Sequence, residues 1–279
     1  VTLFKQGNIH FFVNGSKNDF SQEFRSLHGP SACSMGFKVK NTYEAIKALK
    51  ERGAEEIDFS SRKRFFPKSI PAIKAIGGAH LYLIDDQGMH DLYHQSFQLP
   101  QDMAHFGLGL MDIDHLTHNV YQGNVDKWTQ YYEDLFNFHE IRIFDIKGTH
   151  TGLYSRAMSA PCGQIRIPLN ESKDNTSQIA EYLEIYKGEG IQHIALTTDN
   201  IYDTIEKMRS NDIPFMVVPQ SYYDMTEARL PGHGEDLKRM AKNHILIDGD
   251  SPKRAFLLQI FTKTVIGPIF FEIIQRKGH

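Results

Sequence analysis

Three blocks of this sequence occur twice in the same order. Each pair shares a turn followed by a strand, a strand followed by a helix, or a terminal strand. The aligned pairs are 6–14 with 162–170, 33–50 with 192–209 and 80–88 with 270–278. Repetition in a fixed order indicates a duplicated structural module, so the chain must fold as two related units in tandem.

The middle block predicts the secondary structure of each module. The segment GFKVKNTYEAIKALKERGAEE is typical of a strand, a polar turn and an amphipathic helix. Tyr43, Ile46 and Leu49 supply the apolar face, and Gly53 is expected to end the helix. Residues 193–215 repeat the pattern. A strand, a helix and further strands in each copy predict an α+β fold with a curved sheet that holds a ligand.

Charge and composition limit the classes of partner. The net charge of −3 gives no basic surface for nucleic acid or anionic membrane. No apolar run approaches the ~18 to 20 residues of a membrane span. Cys33 and Cys162 are too few for a disulfide framework and fit a reducing compartment. We therefore expect a cytoplasmic protein whose partners are small molecules and copies of itself.

Two histidines and one glutamate stand out as candidate metal ligands. His115 (IDHLTHNV), His193 (GIQHIAL) and Glu272 (FFEIIQR) each lie in an apolar, strand-like run. Two imidazoles and one carboxylate are the ligand set of non-haem Fe(II) sites that activate oxygen. The aligned positions of the first copy hold Ser34 and Tyr82 instead of His193 and Glu272. The module itself therefore does not require these ligand types, and a metal site is expected in the second copy only.

An ordinary structural role competes with this interpretation. A single histidine in an apolar strand is more often a hydrogen-bonded core residue than a ligand, and a buried glutamate needs a partner. Arg276, four residues after Glu272 on the same strand face, is a possible partner. His118 would face away from His115 and is expected to be a core histidine. The presence of all three candidate ligands in one chain favours the metal site.

The second copy contains a segment that the first lacks. It starts near Met111 with a strand and an aromatic-rich helix. In the alignment, the counterparts of these two elements in the first copy would lie before Val1. We therefore expect the natural protein to begin before Val1, and the first module to be incomplete at its start.

Six segments together resemble the 4-hydroxyphenylpyruvate dioxygenase family, bacterial type, of the vicinal oxygen chelate (glyoxalase-like) superfamily. They are DHLTHNV, NFHEIRIFDIKG, IRIPLNE, GEGIQHIAL, LLQIFTK and FFEIIQRKG. The resemblance implies two tandem modules of paired βαβββ units. Residues 1–105 would form a module without metal, and residues 111–279 a catalytic module whose open barrel surrounds the metal. The family's C-terminal lid helix has no counterpart before His279.

The resemblance also assigns roles to individual residues. One Fe(II) per chain would be held by His115, His193 and Glu272. Residues expected to act in catalysis are Gln259, Gln192, Asn170 and Ser155. Residues expected to bind substrate are Gln178, Phe261, Phe270 and Pro168. Amides and hydroxyls orient a phenol or carboxylate without competing for iron, and phenylalanines pack against an aromatic ring.

The implied reaction is the conversion of 4-hydroxyphenylpyruvate and O2 to homogentisate and CO2 in tyrosine and phenylalanine catabolism. It combines oxidative decarboxylation, ring hydroxylation and side-chain migration, and the family's habit implies a homodimer or homotetramer. Two alternatives stay open. Hydroxymandelate synthase uses the same substrate and ligands, although Pro168, Asn170 and Phe261 follow the dioxygenase. The other alternative is a module of this superfamily that binds a small molecule without redox activity.

Overall fold

A computed structural model describes residues 1–17, 19–60, 65–97, 107–147 and 152–278. The chain divides into two compact units. The first comprises Val1–Phe4, Phe11–Ala104 and Leu116–Gln192, and the second comprises Lys5–His10, His105–His115 and His193–His279. The expected module end at residue 105 lies outside the described residues, and the module boundaries stay a prediction.

Strands and helices alternate along the chain. The strands are β1 (Thr2–Gln6), β2 (Ile9–Val13), β3 (Ser34–Lys38), β4 (Ala72–Lys74), β5 (His80–Ile84), β6 (Leu110–Val120), β7 (His139–Lys147), β8 (Gly152–Ser159), β9 (Arg166–Ser172), β10 (Gly190–Thr198), β11 (Leu246–Asp250), β12 (Ala255–Phe261) and β13 (Phe270–Lys277). The helices are α1 (Phe20–His28), α2 (Thr42–Glu51), α3 (Asp86–Ser96), α4 (Val125–Phe136), α5 (Gln178–Tyr186), α6 (Ile201–Ser210), α7 (Gln220–Asp224), α8 (Thr226–Arg229) and α9 (Leu237–Asn243). Within the described ranges, no helix has the length and apolar character needed to cross a bilayer.

The first unit combines two groups of strands with helices. Strand β5 pairs in parallel with β3 and antiparallel with β4. Strand β8 pairs antiparallel with β7 and β9, and α4 packs against β8 and β9. Helices α1 and α5 share an apolar core that includes Phe24, Tyr182 and Tyr186. Mixed strand pairing and packed helices confirm the predicted α+β class.

A buried carboxylate holds the start of α4. Glu189 accepts hydrogen bonds from the Tyr121 backbone N–H at 3.0 Å, Asn124 Nδ2 at 2.6 Å and Trp128 Nε1 at 2.8 Å. A buried carboxylate that accepts several hydrogen bonds is stabilising, because each donor would otherwise be buried without an acceptor. This cluster fixes α4 within the first unit.

The second unit places a helical layer on one face of its sheet. Its strand order is β11–β12–β13–β10–β6. Along β12, Phe256, Leu258 and Ile260 are buried in the core shared with α6 and α9. Strand residues alternate between the two faces, so Gln259 and Phe261 lie on the opposite face of the sheet. That opposite face carries the candidate site.

The strand register confirms the repeat. In the first unit, Ser34 pairs with His80 across the parallel β3–β5 ladder. In the second, His193 pairs with Phe270 across the parallel β10–β13 ladder. The sequence alignment matches these two pairs to each other. The helices that follow also begin alike, because Asn41 caps α2 and Asn200 caps α6 through their side-chain oxygens.

One detail of the predicted helix face is wrong. Leu49 is buried, but Tyr43 is 70% exposed. Residues three apart in an α-helix are separated by about 300°, so a spacing of three drifts around the helix. Over the two steps from Tyr43 to Leu49 the drift reaches about 120°, which carries Tyr43 to the solvent side.

Candidate metal centre

Three strands of the second unit bring the predicted ligands together. His115 lies on β6, His193 on β10 and Glu272 on β13. Glu272 Oε2 lies 3.1 Å from His115 Nε2 and 3.4 Å from His193 Nε2. One ligand atom from each residue falls within 4.8 Å of the others. The residues are far apart in sequence, so the sheet rather than a local loop builds this group.

The donor set fits a divalent metal ion. Adjacent ligand atoms that each lie about 2.1 Å from one ion are separated by about 3 Å, close to the two distances from Glu272. Two imidazoles and one carboxylate leave open positions for substrate and oxygen, the arrangement found in non-haem Fe(II) oxygenases. The group could therefore hold such an ion with little movement.

Charge is distributed unevenly over the three side chains in the metal-free protein. Burial disfavours the charged form of His115, but Asp114 and Glu272 outweigh it and raise the imidazole pKa to about 9. Burial likewise opposes ionisation of Glu272, yet hydrogen bonds from His115 and His193 hold its pKa at about 2. Burial lowers the pKa of His193. A carboxylate, an imidazolium and a neutral imidazole thus meet at one point, and a bound cation would replace the proton.

An acidic residue that the sequence did not single out lies behind His115. Asp114 Oδ1 accepts a hydrogen bond from His115 Nδ1 at 2.8 Å. Arg276 donates to Asp114 through Nη2 at 2.8 Å and Nε at 3.0 Å. Arg276, a possible partner of Glu272 from the sequence, instead makes this bidentate contact with Asp114. In the sequence, the signal for this contact was the position of Asp114 directly before the ligand His115 in the segment IDH.

Two phenylalanines pack on the ligand His193. The Phe270 ring is stacked on the imidazole with centroids 4.9 Å apart and an angle of 18°. The Phe261 ring lies edge-on to both, with centroids 6.3 Å from His193 and 5.9 Å from Phe270. These contacts are favourable aromatic geometries. The structure therefore brings both predicted substrate-binding phenylalanines to the ligand group.

The remaining predicted residues fall into two sets. Gln259 lies on β12 in the second unit, two residues from Phe261 and on the same face. The first unit holds Ser155 opposite Asn170 and Ala157 opposite Pro168 across the β8–β9 ladder. It also holds Gln178, exposed at the start of α5, and Gln192, buried on β10. The roles assigned to these six residues stay predictions.

His118 has the structural role expected of it. Its side chain is fully buried, and Nε2 lies 2.7 Å from the Tyr132 hydroxyl. A buried imidazole with this hydrogen bond is accounted for without a metal.

Two family models match consecutive parts of the chain. Residues 1–115 match the model described as hydroxyphenylpyruvate dioxygenase, HPPD, N-terminal. Residues 112–227 match the glyoxalase/bleomycin resistance protein/dioxygenase superfamily. Together they cover every segment of the first unit and two of the three candidate ligands, His115 and His193.

Known proteins resemble the chain over nearly its whole length. It is 50% identical over 281 residues to the 4-hydroxyphenylpyruvate dioxygenase of Pseudomonas aeruginosa, covering 100% of this chain and 78% of the relative. It is also 50% identical to hemolysin VllY of Vibrio vulnificus, covering 99% and 78%. A solved variant of 4-hydroxymandelate synthase from Streptomyces coelicolor matches with a TM-score of 0.79 and 19% identity, covering 99% and 80%. That last likeness shows a shared fold, the glyoxalase-type paired-module fold.

Proposed function

This chain belongs to the 4-hydroxyphenylpyruvate dioxygenase family, and we propose that it converts 4-hydroxyphenylpyruvate and O2 to homogentisate and CO2. One Fe(II) would be held by His115, His193 and Glu272. The observation that carries the proposal is the convergence of these three ligand atoms within 4.8 Å of one another. We propose that this homogentisate is formed in tyrosine and phenylalanine catabolism.

Bound Fe(II) would supply the two chemical needs of the reaction, a chelation site for the 2-oxo acid and activation of O2. The protein's own groups fix where this happens. Asp114 accepts a hydrogen bond from Nδ1 of His115, so Nε2 is the nitrogen that would offer its lone pair once a bound ion replaced its proton. Glu272 is 3% exposed and ionised, so it provides a fixed negative charge.

The aromatic side chains provide a wall for the substrate ring. Phe261 and Phe270 lie edge-on to each other beside His193. An aromatic substrate packed on this wall would be held close to the ligand group, and water would be excluded from that side. Gln259, on the same face as Phe261, is proposed to orient the substrate through its amide.

Five further residues, all in the first unit, have proposed roles toward the substrate. Ser155, Asn170 and Gln192 offer hydrogen-bonding groups for catalysis, and Gln178 and Pro168 are proposed to contact substrate. Support comes from their residue types and from the family resemblance. We also propose a cytoplasmic homo-oligomer, dimer or tetramer, because both cysteines are free and the family commonly self-associates. Light scattering of the purified protein measures the oligomeric state.

Product identification tests the proposal. The full-length protein is loaded anaerobically with Fe(II), mixed with 4-hydroxyphenylpyruvate and air-saturated buffer, and its products are separated by chromatography. Homogentisate is the expected product, and Glu272→Gln should form none. Hydroxymandelate would keep the iron site but assign the chain to the sister reaction. Retained substrate without any product or bound iron would support a binding module.

A further inference from the structure

The carboxylate behind His115 is more strongly anchored than a simple hydrogen-bond partner needs to be. Asp114 Oδ1 accepts from both His115 Nδ1 and Arg276 Nη2 at 2.8 Å, and Oδ2 accepts from Arg276 Nε at 3.0 Å. The Asp114 side chain is only 3% exposed, whereas that of Arg276 is 34% exposed. The charge of the aspartate is therefore buried, and the guanidinium that neutralises it reaches the surface.

Geometry determines which ring nitrogen of His115 keeps its proton when a cation binds. A carboxylate only accepts hydrogen bonds, so the nitrogen that faces Asp114 must carry the proton. Nε2, which lies 3.1 Å from Glu272 Oε2, is then the nitrogen left to bind a cation. Arg276 fixes the plane of the Asp114 carboxylate, because a bidentate guanidinium contact constrains both oxygens.

We propose that Asp114 and Arg276 are positioning residues that set the tautomer and orientation of His115 for metal binding. This inference rests on the proposed function, since it concerns how the same metal centre is assembled. Arg276 acts on Asp114, and Asp114 acts on the ligand His115. Two sets of contacts therefore connect β13 to the ligand His115 on β6. One is the direct contact of Glu272 with His115, and the other runs from Arg276 through Asp114.

Asparagine at position 114 is the most informative substitution. Its size is unchanged, but its amide group can donate to Nδ1 and stabilise the wrong tautomer. In that orientation, the NH2 group replaces the oxygen that accepts from Arg276, so two donors face each other. Loss of such a partner of a metal-binding histidine commonly costs 10- to 100-fold in metal affinity. We expect Asp114→Asn to weaken Co(II) binding by about that factor, and Arg276→Met to weaken it by a similar amount.

Arg276→Lys separates charge from geometry. Lysine keeps the positive charge but cannot make the bidentate contact. We expect its Co(II) affinity to lie between that of the wild type and that of Arg276→Met.

A neighbouring ion pair provides a matched control. Lys277 Nζ lies 2.6 Å from Glu235 Oε1, with the two side chains 37% and 7% exposed. This pair resembles Arg276 and Asp114 in burial, and Lys277 follows Arg276 on β13. Among the described contacts, the pair touches none of the ligands. Glu235→Gln should reduce stability without changing metal affinity.

The experiment measures Co(II) dissociation constants by anaerobic competition titration, with the visible absorption of bound Co(II) recorded for each variant. Circular dichroism verifies that each variant is folded. Weaker binding and an altered Co(II) spectrum in Asp114→Asn, with wild-type values in Glu235→Gln, are the expected results. Wild-type affinity and spectrum in Asp114→Asn, or equal weakening in the control, would overturn the inference. A wild-type protein that binds neither Co(II) nor Fe(II) would overturn the proposed function itself, and this inference with it.

Discussion

Glutamine at position 272 would keep the size of the side chain and remove its charge. In the metal-free protein at pH 7, Glu272 faces a protonated His115, whose pKa is about 9 because Asp114 and Glu272 outweigh the effect of burial. Their atoms are 3.1 Å apart, which corresponds to about 5 kcal/mol at an effective dielectric constant of about 20. Desolvation offsets part of this attraction, and Asp114 still neutralises His115 in the variant. We expect Glu272→Gln to reduce the free energy of unfolding by about 3 kcal/mol.

Metal binding provides the sharper measurement. An ion that binds only the folded protein at about 100 times its dissociation constant stabilises it by about 2.7 kcal/mol. For a chain of this size, that corresponds to an increase in Tm of roughly 5 °C. We expect this increase in the wild type with Co(II) and none in Glu272→Gln, measured by scanning calorimetry.

A second variant is the control for this calorimetric measurement. Glu235→Gln alters another buried carboxylate, bound to Lys277 and to the Tyr202 hydroxyl, and should keep the full metal-dependent increase in Tm. If Glu272→Gln also kept that increase, the carboxylate would not be a ligand and the reasoning would be refuted.

Three further predictions concern the aromatic wall, the first unit and the thiols. Phe270→Leu removes the ring stacked on His193 and should lower kcat/KM by up to about tenfold while raising the share of uncoupled oxygen uptake; an unchanged product ratio would count against this role. Glu189→Gln leaves at least one buried donor without its acceptor, so urea denaturation should show a loss of about 1 to 3 kcal/mol, and full stability would contradict the assigned contacts. Burial raises the pKa of Cys33 and shields its thiol, whereas Cys162 is exposed, so mass spectrometry should show Cys162 alkylated first; the reverse order would be inconsistent with the structure.

Repetition made the strand pairing predictable. Two copies of one pattern constrain each other, and the register of His193 with Phe270 follows the register of Ser34 with His80. The ligand types were predictable for a related reason. Only the second copy carries them, so the shared fold cannot account for their presence.

The partners of individual side chains were not predictable to the same degree. Spacing along β13 places Arg276 on the face of Glu272, but it does not reveal that Asp114, on another strand, offers both carboxylate oxygens. Helical spacing likewise predicted Tyr43 on the buried face wrongly, because drift around the helix moves it away from Leu49. Contacts between distant segments depend on the folded sheet, and a single sequence reports them only indirectly.

Oxygen uptake tests the central claim most directly. The Fe(II)-loaded full-length protein is given 4-hydroxyphenylpyruvate in an oxygen-electrode cell, and homogentisate is measured in the same sample. The proposed function predicts that O2 is consumed and homogentisate formed in equal amounts, and that removal of Fe(II) by a chelator stops both. Homogentisate formation that continues without Fe(II), or no oxygen uptake with Fe(II) and substrate both bound, would contradict it.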